Sequence, residues 1–257
     1  MNDVLPVKIQ DYYERIQRLR MIDDDFMKVV FSDRGCVKKL LDVIMNKDID
    51  IISHCVQYSI ENLHGHSIEM DIIAKDKDGM IYDIEVQKDD NDDCIFRARY
   101  YSSMLDSNLL PKSMDYESLP ESHIIFITEK DVIGDGLPKY SSKRRIEETG
   151  KPLYDKENII FINSSYQDQS ELGKMMHDFY CTKADDMYDE VLRERVKYLK
   201  ENKEGLSIMC KIMEEIREEG KHEVIVEIVK RMLLEGEDIE KISFYTHLSV
   251  EEIRQYA

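Results

Sequence analysis

Two extended stretches joined by an Asp-Gly turn constrain this chain more than any other feature. Residues 67–75 and 80–88 read as strands, and Asp76-Lys77-Asp78-Gly79 between them is a strong hairpin signal. Side chains alternate faces along a strand, so in Tyr82-Asp83-Ile84-Glu85-Val86-Gln87 the groups of Asp83, Glu85 and Gln87 share one face. Ile84 and Val86 take the other. On the preceding strand Glu69 and Asp71 share a face, opposite Met70 and Ile72. Pairing about the turn sets the two acidic rows side by side. Neighbouring carboxylates repel and stay ionised together only with positive charge between them. A hard divalent cation that takes oxygen ligands, such as Mg²⁺, meets that need. The same alternation also suits the solvated outer face of an antiparallel sheet.

Around the hairpin the first two thirds read as mixed α/β. Asp24 or Asp25 is placed to N-cap a helix through Phe26, Val29 and Val30 toward Leu40, Leu41 and Ile44, with Gly35 a point where it divides. Residues 49–59 read as a strand and 92–110 as a helix. The runs 123–128 and 158–163 read as buried strands. From Ser170 onward the composition is helical, interrupted only by Gly173, Gly205, Gly220 and Gly236, where short breaks are expected. A chain of 257 residues with 42% hydrophobic residues can fill a core.

Charge limits the function classes. The formal net charge is -18, which excludes a general electrostatic grip on nucleic acid. The one basic cluster is Lys139, Lys143, Arg144 and Arg145, either a solvated segment or a patch for phosphates distal to a site. Residues 1–20 are polar, so no secretory signal is expected, and no apolar run is long enough to span a bilayer. Cys36, Cys55, Cys94, Cys181 and Cys210 are odd in number and form no CxxC motif, which suits a reduced, cytoplasmic chain. His177 and Cys181 stand four apart, but without a second pair at zinc spacing they read as surface or core residues.

Taken together, Asp71, Gly79, Tyr82-Asp83-Ile84-Glu85-Val86-Gln87 and Arg97-Ala98-Arg99-Tyr100-Tyr101 resemble the PD-(D/E)XK nuclease family transposases, also called Rpn-like recombination-promoting nucleases. The resemblance extends to Asp24-Asp25-Phe26-Met27 upstream, and to Leu119-Pro120 and Ile124-Ile125-Phe126-Ile127 downstream. It implies a restriction-endonuclease-like αβββαβ core with an all-helical C-terminal extension, divided as residues 1–180 and 181–257.

The resemblance also implies roles. Asp71 is similar to the motif aspartate and Glu85 to the acidic residue of the third strand. Gln87 stands where many superfamily members have lysine. Asp25, or less so Asp24, resembles the acid of the first helix, and Arg97 and Tyr101 the helix residues that face the site. The activity implied is a Mg²⁺- or Mn²⁺-dependent endonuclease acting on DNA, tied to recombination or mobile elements. Asp71, Glu85 and the Val86 carbonyl would hold the metal, and Gln87 would orient water. Glutamine is neutral, so Arg97 or Arg99 would supply the positive charge that lysine gives elsewhere. DNA contacts would fall to Arg99, Lys139, Lys143, Arg144 and Arg145. Two other readings use the same residues: a non-cleaving DNA-binding or regulatory protein on this fold, and a helical assembly protein whose acidic face is only solvated.

The tail carries apolar residues at helical spacing, including Ile208, Ile212, Ile216, Ile225, Ile228 and Val229, which points to packing or homo-oligomerisation. Near its end two short helices are expected, with a capping box at Ser249 and Glu252. Their spacing resembles half of a helix-turn-helix, but Glu251 and Glu252 stand where base contacts would be made.

Overall fold

The hairpin forms where its turn chemistry places it. In a computed structural model that describes residues 7–63, 65–88 and 93–256, β2 (Ile68–Asp76) and β3 (Ile81–Gln87) pair antiparallel. Gly79 takes φ of 86°, a left-handed conformation that costs glycine nothing. The buried Asp76 carboxylate closes the loop by accepting the N–H groups of Asp78 and Met80 at 3.0 and 2.9 Å, and the Tyr82 hydroxyl at 3.0 Å.

Upstream lie α1 (Val7–Arg18), α2 (Asp24–Val30), α3 (Arg34–Met45) and β1 (Ile51–Ile60). Downstream come α4 (Cys94–Leu109), β4 (Ser122–Thr128), β5 (Lys139–Ser142), β6 (Glu157–Asn163) and α5 (Glu171–Asp178). Asp92, expected to begin α4, lies outside the described residues. The sheet order is β1-β2-β3-β4-β6-β5. The first three strands are antiparallel, β3, β4 and β6 are parallel, and β5 returns antiparallel along β6. The helix–three strands–helix–strand order is the expected αβββαβ core; the edge strand β5 is additional to the strands read from the sequence.

Two local expectations are corrected. Asp23, not Asp24 or Asp25, occupies the N-cap position of α2. The helix then breaks at 31–33 rather than at Gly35, because the Asp33 side chain accepts the Cys36 N–H at 3.1 Å and starts α3 anew.

The central strands are covered on both faces, which parallel strands require. Every residue of β4 is buried, and in β3 every residue but Gln87. One face packs beneath α4, where Cys94, Ala98, Tyr101 and Leu105 meet Ile81, Ile124, Phe126 and Phe161. Ile81 shares that face with Asp83, Glu85 and Gln87 by strand alternation. The acidic row therefore lies under a helix, not in solvent as an outer face would.

Gln17–Lys200 forms one compact unit; a second joins the N-terminal helix up to Ile16 with the chain from Glu201. The last turn of α6 (Glu190–Glu201) carries Lys200, whose buried ammonium donates to the carbonyls of Gln17, Leu19 and Thr182 within the first unit. In the second, α7 (Lys203–Leu234) runs unbroken through Gly205 and Gly220, and Gly173 likewise lies inside α5, so those expected breaks are absent. Gly236 alone of the four acts as a stop. Its φ is 76°, and the N–H groups of Gly236 and Glu237 return to Leu233 and Met232. The helices α8 (Ile239–Thr246) and α9 (Val250–Arg254) fold back on α7 around Val229, Ile242 and Ile253, and α9 starts with the expected capping box. Among the described residues no helix is long and apolar enough to cross a membrane.

Candidate active site

Backbone pairing between β2 and β3 is replaced by side chains where the acids meet. The register runs to Ile72 opposite Ile84. One step further, the Asp71 N–H donates to Glu85 Oε1 at 2.9 Å and the Val86 N–H donates to Asp71 Oδ2 at 2.8 Å. Each acid is thus tied to the backbone of the other's strand, Glu85 at Asp71 itself and Asp71 one residue past Glu85. The orientation of Val86 follows from the opposite edge of β3. Ile81 N–H donates to Glu121 and the Gln87 carbonyl accepts from Glu129, so odd residues of β3 bond toward β4. Even residues, Val86 among them, turn N–H and C=O toward β2. The Val86 carbonyl therefore points to the Asp71 side.

Arg97 organises the α4 side of the site. Its Nη1 donates to Gln87 Oε1 at 2.6 Å, its Nη2 donates to Tyr101 OH at 3.2 Å, and Nη2 lies 3.6 Å from Glu85 Oε2. The guanidinium packs over the rings of Tyr101 and Phe126, which fixes its plane. Gln87 Nε2 reaches back toward Glu85 Oε2 at 3.5 Å. Tyr101 is four residues from Arg97 and shares its helix face; burial, with the Glu85 charge, pushes its phenol up, so it stays protonated. Arg99 is exposed, on a different face of α4 from Arg97.

Electrostatics set this cluster apart from an ordinary ion pair. Burial raises the Asp71 carboxyl from 3.8 to about 6, against the Val86 N–H, which favours the charged form; Asp24 adds repulsion, while Lys28 and Arg97 attract. Asp83 is fully buried, and burial together with the Asp71 charge pushes it well above the ordinary carboxylate range. Glu85 is pushed up by burial, then by Asp83 and Asp71. With all three ionised, neither Asp83 oxygen has a hydrogen-bond partner; a proton shared with Glu85 supplies one. Arg97 is the cation common to all three. One guanidinium against three buried carboxyls leaves a surplus of negative charge.

That surplus and an oxygen-only donor set fit a hard divalent cation. Asp71, Glu85 and the Val86 carbonyl are the groups able to hold one. The ligand atoms of Asp71, Asp83 and Glu85 do not all fall within 4.8 Å of one another, so the triple is not a tight three-carboxylate cage. Asp83 shares the face of Glu85 and Gln87, which alternation shows; that it is fully buried beside them shows only in the fold.

The other anticipated residues fall differently. On α2 it is Asp24, ion-paired to Lys28 at 2.8 Å, whose charge reaches Asp71, while Asp25 is half-buried. Lys88 turns away and pairs with Asp23 at 2.7 Å. The basic cluster is divided by β5. Lys139 Nζ donates to the Ile44 carbonyl, and Arg144 binds Asp155 and Glu157 at the start of β6. Because β3 and β6 run parallel, Arg144 sits at the end of the sheet opposite Gln87. Lys143 and Arg145 remain exposed.

A mixed α/β fold of restriction-endonuclease type, with acids interlocked on its second and third strands, defines the class. The chain belongs to the PD-(D/E)XK nuclease family transposases, whose family description matches residues 37–179. Nucleases of this fold generally use divalent metals, and the family is associated with mobile elements. No curated protein and no solved structure matches the chain.

Proposed function

We propose that the chain is a Mg²⁺-dependent DNA endonuclease, with Mn²⁺ able to substitute, acting in recombination or mobile-element processing in the cytoplasm. The carrying observation is the reciprocal tie of Asp71 and Glu85, each anchored to the other strand's backbone beside Arg97 and Gln87. On this reading residues 1–180 carry catalysis and 181–257 serve docking or self-association.

A divalent cation held by Asp71, Glu85 and the Val86 carbonyl would acidify the attacking water and offset charge on the departing oxygen. The chain's own residues position the reactants. Arg97 holds the Gln87 amide through Oε1, which aims Nε2 across the acidic pair as a donor for water or a phosphate oxygen. Arg97 also brings the fixed positive charge that a neutral glutamine lacks, in place for a phosphate oxygen near Glu85. Asp83, buried behind Glu85, sustains the negative field that draws the cation in.

Plasmid cleavage in Mg²⁺ and in Mn²⁺, comparing the parent with Asp71→Ala and Glu85→Ala, tests the proposal. Loss of nicking and linearisation in both variants is expected. Equal cleavage by all three, or none by the parent in either metal, would overturn it, the latter in favour of a non-cleaving binding protein.

A further inference from the structure

The turn that leaves α5 gathers three ligands of a different character. The helix ends at Asp178, and the N–H groups of Tyr180 and Cys181 return to the carbonyls of His177 and Asp178. This tight reversal brings Cys181 Sγ to 3.6 Å from His177 Nδ1, which is 3.2 Å from Asp178 Oδ1. Among the described residues this is the one group of three His, Cys, Asp or Glu whose ligand atoms all lie within 4.8 Å of one another.

The spacing matches a specific coordination polyhedron. With Zn–S of about 2.3 Å and Zn–N or Zn–O of about 2.05 Å, a tetrahedral ion needs an N···S edge of about 3.6 Å and an N···O edge of about 3.4 Å. The two edges given above fall close to both values. Asp178 is also held as an outer shell would hold a ligand. It is fully buried, with Oδ1 accepting the Tyr188 N–H at 2.9 Å and Oδ2 the Asp189 N–H at 2.8 Å. Each oxygen keeps a second lone pair. The His177 ring lies against Tyr188, with centroids 4.9 Å apart. His177 and Cys181 line a cavity of about 680 Å³ that Gln167, Asp185 and Asp186 also line, with the buried Asp178 behind them.

We infer that His177, Asp178 and Cys181 form a binding site for a thiophilic, tetrahedral divalent cation of the Zn²⁺ class, its fourth position facing the cavity and filled by solvent or by Asp185 or Asp186. One sulfur, one imidazole nitrogen and one carboxylate oxygen favour such an ion over the hard cation suited to β2 and β3. On binding, the Cys181 thiol gives its proton to solvent, His177 offers the Nδ1 lone pair with its proton on Nε2, and Asp178 uses the free lone pair of Oδ1. Thiolate and carboxylate together balance the two charges of the ion. Burial, then the charges of Asp178 and Asp186, hold the free thiol up at about 11; the two carboxylates also favour a nearby dication. The ion would clamp the end of α5 to the segment 184–189.

The test uses the metal-stripped full chain carrying Asp71→Asn and Glu85→Gln, so that the strand carboxylates do not compete. Co²⁺ serves as the optical probe, and Zn²⁺ affinity is read by competition with a chromophoric chelator. The expected result is one Zn²⁺ per chain, displacing a Co²⁺ form with thiolate charge-transfer absorption and tetrahedral d–d bands. Cys181→Ser abolishes the charge-transfer band, and Cys181→Ser and His177→Gln each weaken Zn²⁺ by more than the roughly 10–100-fold that outer-shell partners cost. Both variants should unfold with the parent in chelator, which separates lost ligation from lost folding. No charge-transfer band, a band and affinity unchanged by Cys181→Ser, or a band removed only by substituting Cys55 or Cys210 would each overturn the inference.

Discussion

Replacing Asp71 with asparagine should stabilise the metal-free protein, and by more as pH rises from about 4 to about 8. The folded-state carboxyl is raised to about 6 from an ordinary 3.8. Between these values the folded chain holds more protons than the unfolded one, so stability falls as pH rises through that window. At about 1.4 kcal/mol per pH unit, the full penalty is about 3 kcal/mol at pH ~8 and about 1 kcal/mol at pH ~4.5. Asparagine keeps an oxygen for the Val86 N–H but carries no charge to desolvate. Urea unfolding in chelator should therefore show Asp71→Asn more stable than the parent by about 3 kcal/mol at pH ~8, shrinking to about 1 kcal/mol at pH ~4.5. Excess Mg²⁺ should reverse the order at high pH, because a ligand of the folded state stabilises the parent by mass action and finds one carboxylate fewer in the variant. A difference that does not vary with pH, or a parent that gains stability over Asp71→Asn as pH rises in chelator, would refute the reasoning.

Arg97→Gln should lower single-turnover plasmid cleavage by on the order of 10², the scale of losing one preorganised donor, whereas Arg99→Ala, on another helix face, should change it little. Lys143→Ala with Arg145→Ala should leave unfolding unchanged and reduce the salt slope of DNA binding by about 2 if both cations meet phosphates, as titration at several salt concentrations would measure. Lys200→Met should destabilise the chain by about 3 kcal/mol or more in denaturant unfolding, because three carbonyls lose their donor at once and each orphaned group costs about 1–3 kcal/mol.

Local chemistry made the hairpin legible. Asp-Gly fixed the turn, and alternation around it placed Asp83, Glu85 and Gln87 in one row and Asp71 beside them. Arg97 and Tyr101 were found because helical spacing ties them to one face. Alternation could not tell a solvated row from a covered one, because the cover, α4, is a long-range partner. The weight of Asp83 is illegible for the same reason: it comes from full burial under that helix, against Glu85. The short edge strand β5 was hidden because Lys-Tyr-Ser-Ser has neither length nor apolar content, and with it went the fact that Lys139 and Arg144 serve the fold. Gly205 and Gly220 read as breaks in the sequence, yet the long α7 absorbs both, at a cost of about 1 kcal/mol per glycine. His177 and Cys181 looked isolated because their third member, Asp178, gains its place only when the chain after α5 returns to it.

The three-residue turn 77–79 does more than reverse the chain. By its length it decides that position 71 falls across from position 85, so the spacing of the acids is counted out by the loop. One residue inserted there would shift β3 against β2 by a single step, present Ile84 or Val86 where Glu85 now stands, and bury the displaced acid on the opposite side of the sheet. Loop length in this chain consequently fixes the site as firmly as the identity of the acids does.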